Sequence, residues 1–79
     1  MTEEQIKELY DFALQSTVKG KEEKMLALLD EAKERQLAGA FDKKFATDVG
    51  MRMLACVRLE CMGPFIAKAT KLKKEYSID

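Results

Sequence analysis

Two cysteines, a set of helix-spaced carboxylates and a row of lysines are the residues in this chain with chemical potential. Cys56 and Cys61 stand five apart. On a helix that spacing turns them roughly 140° apart around the axis, so they cannot bridge to each other. A thiol becomes a nucleophile or redox centre only with a lowered pKa and access to solvent. Arg52 and Arg58 are near in sequence, but the intervening residues are apolar, and both thiols read as small core side chains. Two unpaired thiols fit a reducing, cytoplasmic setting. Asp30, Glu31 and Glu34 gather on one side of a helical segment, the arrangement of a weak cation site or, more commonly, of a solvated helix face. Glu60 sits among apolar residues and needs either a partner or solvent.

The chain has no histidine. Its absence removes the Ser-His and Cys-His pairs of nucleophilic catalysis, the commonest general acid–base group and most zinc sites. Neither GxxxxGK[ST] nor GxGxxG occurs, so no glycine-rich loop cradles a phosphate. The residue types therefore point away from an enzyme and predict no catalytic, cofactor-binding or metal-binding residue and no small-molecule substrate.

Lysines remain. Lys68, Lys71 and Lys74 recur at i, i+3 and i+6 near the C-terminus, with Lys73 and Tyr76 beside them. They are the candidate contact for nucleic acid. Against that, formal charge is zero, with 14 basic and 14 acidic residues. Non-specific binding to a polyanion needs a stronger field. Ala46 and Gly50 have a spacing found in helix-turn-helix proteins, but Met51–Val57 is too apolar to read base edges. The first 39 residues carry six basic and nine acidic side chains, the remainder eight and five, an asymmetry suited to self-association.

The elements that must position these residues are helical. Seventy-nine residues make a single domain, 1–79, and a monomer of that length is marginally stable unless well packed. Thr2 and Gln5 have the spacing of a capping box, with Glu3 and Glu4 in the first turn, so a helix is predicted over 3–17. Ile6, Leu9, Tyr10, Ala13, Leu14 and Thr17 form its apolar stripe, and Phe12 lies off it. A second helix over 21–38 is bounded by Gly20 and Gly39, and the short connection predicts an antiparallel hairpin with the first. Asp42 is the candidate N-cap of a third helix over 42–62, with Thr47 as an alternative start, and Gly63-Pro64 separates it from a fourth over 64–76, whose stripe is Phe65, Ala69, Leu72 and Tyr76, with the last three residues fraying. The fold class is all-α, a small four-helix bundle. No signal peptide is evident and no apolar run is long enough to span a membrane.

The third helix carries the functional expectation. Between Val49 and Met62 only Arg52, Arg58 and Glu60 are charged. A broad face running from Phe45 through Val49, Met53 and Cys56 to Leu54 suits the intrachain core. Met51, Ala55, Leu59 and Met62 fall on the opposite side, where a bundle this small has no helix left to cover them. These four, with Phe12, are the predicted interface for a homodimer or a protein partner. The predicted function is that of a small cytoplasmic regulator or adaptor acting by protein–protein interaction; the alternative is a nucleic-acid-binding regulator.

Overall fold

Thr2 opens the first helix as its sequence requires. In the computed structural model, which describes residues 2–78, its hydroxyl accepts from the Gln5 N–H (3.1 Å) while the Gln5 side chain accepts from the Thr2 N–H (2.8 Å), closing the capping box. Helix α1 spans Glu3–Gln15. It stops before Thr17, whose N–H turns to the i−3 carbonyl of Leu14 (3.2 Å) while its hydroxyl donates to Ala13 O (2.6 Å); Ser16 Oγ joins its own N–H on Phe12 O (3.0 Å).

Helix α2 spans Glu22–Leu37. It ends in a Schellman motif. Ala40 N–H donates to Arg35 O (2.8 Å), Gly39 N–H donates to Gln36 O (3.2 Å), and Gly39 takes φ +70°, the left-handed conformation that a side chain disfavours. Helix α3 spans Lys43–Leu54 and is capped by Asp42, whose Oδ1 accepts from the Phe45 N–H at 2.7 Å. Helix α4 spans Met62–Tyr76, preceded by a single 3₁₀ turn at Leu59–Cys61.

The chain is therefore an all-α bundle of four helices, as expected, but the break between the last two lies elsewhere. The predicted third helix over 42–62 ends at Leu54. Cys56 N–H bonds to Met53 O (2.8 Å) and Val57 N–H to Leu54 O (3.1 Å), the tighter i→i+3 pattern that closes a helix. Residues 56–58 then pair with 16–18: Val18 N–H donates to Cys56 O and Arg58 N–H to Ser16 O, both at 2.8 Å, around a Thr17–Val57 bridge. That pairing satisfies both loop backbones while Cys56 and Val57 stay buried, so it displaces two further helical turns. Gly63-Pro64, the predicted break, lies instead in the first turn of α4. There the missing proline N–H has no intrahelical acceptor to lose, and Gly63 lacks the Cβ that a following proline crowds.

The C-terminal residues are tied down rather than frayed. Ile78 N–H donates to Phe41 O (2.9 Å), its carbonyl accepts from Lys43 N–H (3.1 Å), and the Ser77 hydroxyl bonds Lys73 O. Asp79 lies outside the described residues. Among the described residues this pairing, an Asp42–Ile78 bridge, and the Thr17–Val57 bridge are isolated, and no strand forms.

Neighbours in sequence pack together: α1 on α2, α2 on α3, α3 on α4. The core they share includes Ala13, Met25, Leu28, Leu29, Val49, Met53, Cys56, Val57 and Phe65, with Met25 and Cys56 wholly enclosed. The broad face predicted for the third helix is the one that enters this core. Accessible surface is 5469 Å². A monomer of 9.0 kDa is expected to expose roughly 4,900 Å². Part of the exposed surface is apolar and lies in a cleft and on an outer face.

Candidate functional site

Packing that runs α1–α2–α3–α4 leaves the circuit open, because α1 and α4 meet only sparsely. The gap between them is a cleft of about 100 Å³. Its walls follow from helical spacing. Ile6 and Leu9 come from α1, and Ala69 and Leu72 from α4. Val49 and Met53 of α3 form the floor. The two walls touch where Phe12 stacks on Phe65 with ring centroids 6.2 Å apart and planes 11° from parallel.

Polar groups reach the cleft at a few points. Lys33 of α2 and Lys68 and Lys73 of α4 are its charged lining residues, with Tyr10, Gln36 and Tyr76. Among the described residues no carboxylate lines it. Lys68 is half-buried, its ammonium 5.4 Å from the centre of the Phe12 ring. Tyr10 donates its phenol proton to Asp30 Oδ1 at 2.7 Å. Burial, then that bond and the charges of Asp30 and Glu34, push the Tyr10 pKa well above the ordinary tyrosine range, so the group is a fixed donor at any physiological pH.

A second apolar feature lies on the outer face of α3 and α4, where Gly50, Leu54 and Thr70 floor a shallow groove flanked by Met51 and Ile66. Met51 is 68% exposed and Ile66 48%.

The residues predicted from sequence divide between these places. Met51, Ala55 and Leu59 are exposed, Leu59 at 81%, but they belong to α3, the turn after it and the 3₁₀ turn, and not to one helical stripe. Met62 is half-buried and packs on the core from the start of α4. Phe12 is not a free outward aromatic: it is half-buried in the Phe65 stack. Lys71 and Lys74 are exposed, whereas Lys68 leans over Phe12, so the three do not form one equivalent row. Sequence reasoning named Lys73 only in passing and did not single out Lys33. It recognised both apolar stripes of the cleft, yet periodicity gives no distance between two stripes.

The sites of possible chemistry are all engaged structurally. Cys56 is buried, and its thiol lies 3.8 Å from Arg52 O. Cys61 is half-buried with Arg58 Nη2 3.4 Å from its sulfur. The same Arg58 nitrogen donates to Gln15 O at 2.6 Å, at the C-terminal end of α1, and Nε faces exposed Glu60 at 3.7 Å. Glu60 is thus solvated and paired. Asp30 serves Tyr10, and among the described residues no group of three or more Cys, Asp or Glu is placed to hold a metal ion. Among the described residues no helix is long and apolar enough to cross a membrane. No known family, curated protein or solved structure matches the chain.

Proposed function

We propose that this protein is a small regulator or adaptor that works by binding and not by catalysis, and that the outer face of α3 and α4 is its contact surface for a second copy of itself or for another protein. The observation that carries the reading is the exposure of Met51 and Ile66 on the two sides of one apolar groove. Large apolar side chains grouped on a surface are the mark of an interface, and methionine adapts its shape to what it meets. Ala55 and Leu59 extend the exposed apolar surface beyond Met51 in sequence. A homodimer is the simplest occupant, since a two-fold contact needs only one self-complementary patch. Two free thiols suit a reducing compartment such as the cytoplasm.

Sedimentation velocity over micromolar concentrations tests it. The wild-type chain is expected to associate, and the double variant Met51→Asp, Ile66→Asp to sediment as a folded monomer and to lose the proteins captured by the wild type. A wild type that is monomeric throughout, and a double variant that captures the same proteins, refute the reading. The alternative, nucleic-acid contact through Lys68, Lys71 and Lys74, has less support than the sequence alone lent it, because Lys68 is held at Phe12.

A further inference from the structure

The cleft between α1 and α4 shares Gly50, Ala69 and Lys73 with the Met51–Ile66 groove, but Ile6, Leu9, Met53 and Leu72 belong to it alone and give it its own chemistry. We infer that it is a binding site for a single-chain anionic amphiphile, a long-chain carboxylate whose tail lies between α1 and α4 and whose head group meets the lysines at the rim.

Three observations carry this. The first is the lining. Ile6, Leu9, Val49, Met53, Ala69 and Leu72 offer aliphatic surface and no hydrogen-bonding side chain, so an alkyl tail gains burial and dispersion contacts there without leaving a polar group unpaired. The second is shape. A helix with its side chains is about 10–12 Å across. The cleft walls meet at the Phe12–Phe65 stack, 6.2 Å between ring centres, which blocks a helix running between α1 and α4. A flexible chain one methylene wide needs a far narrower opening than a helix. The third is charge. Among the described residues Lys33, Lys68 and Lys73 are the charged groups of the lining, no carboxylate is among them, and nearby Asp30 already accepts from Tyr10. That arrangement selects an anionic head over a neutral or cationic one.

The experiment titrates the full chain, ¹⁵N-labelled, with sodium dodecanoate below its micellar concentration and, in parallel, with dodecyltrimethylammonium. Saturable one-to-one binding of dodecanoate is expected, with shifts at the amides of Val49, Ala69 and Leu72. Exposed ion pairs each contribute less than about fivefold, so two or three of them give on the order of a tenfold preference over the cationic chain. The double variant Lys68→Glu, Lys73→Glu, first shown to unfold cooperatively, is expected to lose that preference and still take up the apolar tail. Several results overturn the inference: no saturable dodecanoate binding, equal affinity for both head groups, or shifts confined to Met51 and Ile66. Uptake of an acidic amphipathic peptide at the cleft, or adsorption to anionic phosphatidylglycerol vesicles, without dodecanoate binding also overturns it.

Discussion

Gly50 and Gly39 form a pair of opposite predictions. Gly50 sits in the middle of α3 with no positive φ, and a Cβ built on it meets nothing within 4 Å. Nothing local requires glycine there, so Gly50→Ala gains the helix propensity of alanine and loses unfolded-state entropy, about 0.5–1 kcal/mol. For a domain of this length that raises Tm by roughly 4 °C. Gly39 also has open space around its Cβ position, but its φ of +70° closes the Schellman motif of α2. Gly39→Ala forces an L side chain into the left-handed region and is expected to lower stability by about 1 kcal/mol. Urea unfolding at 25 °C followed by far-ultraviolet circular dichroism measures both. If Gly50→Ala destabilises, or both variants move in the same direction, then backbone conformation is not what separates these glycines. The substitution also bears on function. Gly50 lines both the cleft and the outer groove, so the added methyl group narrows each. Gly50→Ala is therefore expected to stabilise the fold while weakening dodecanoate uptake.

Arg58→Ala removes the bond to Gln15 O at the end of α1 and is expected to cost about 1 kcal/mol in urea unfolding, with Glu60→Ala changing less than about 0.5 kcal/mol because that pair is long and exposed. Tyr10→Phe breaks the bond to Asp30, a loss of about 1 kcal/mol at neutral pH. Because the folded chain holds the Tyr10 proton more tightly than the unfolded chain, whose tyrosines titrate near about 10, that contribution is full below pH ~10 and declines above it. The urea midpoint of the wild type should consequently fall between pH ~10 and ~11.5, and that of Tyr10→Phe should fall less. An aromatic disulfide reagent should label half-buried Cys61 in the native state and reach Cys56, 1% exposed, only at the rate of opening measured by hydrogen exchange. Equal labelling of both thiols contradicts the assigned core.

What could be read from the sequence was whatever depends on residues close together in the chain. The Thr2–Gln5 box, the Asp42 cap and the Gly39 stop are each decided within about four residues, and each appears where expected. The face of α3 that enters the core was also readable, because burial follows the 3.6-residue period. The end of α3 was not. Cys56 and Val57 fall on the apolar arc of a continued helix and are buried in either arrangement, so periodicity is blind to the choice. It is made by 16–18, forty residues away, which supplies hydrogen-bond partners for 56–58. The same long-range contact divides Met51, Ala55, Leu59 and Met62 among separate elements. The cleft was out of reach for a related reason: its two stripes were each visible, but the sparse meeting of α1 with α4 is a property of the assembled bundle.

That sparse meeting is compatible with a stable fold because the bundle is tied at its loops. The 16–18 segment is bonded to 56–58, and Arg58 reaches Gln15, so the turn leaving α1 is bound to the turn that precedes α4. Ile78 is bonded to Phe41 and Lys43, which binds the end of α4 to the turn between α2 and α3. Each end of α4 is thus anchored through backbone hydrogen bonds, and α1 is anchored at its C-terminal end. The N-terminal half of α1 carries Ile6 and Leu9 and, among the described residues, has no such backbone tie to another helix; its first turn is closed by its own capping box. A guest in the cleft shifts α1 about the Ser16–Arg58 tie against the Tyr10–Asp30 bond and the packing of α1 on α2. Local stability is expected to follow the same division: amide protection in α1 should rise when dodecanoate binds, while protection in α3, whose buried residues already pack against α2 and α4, should change little.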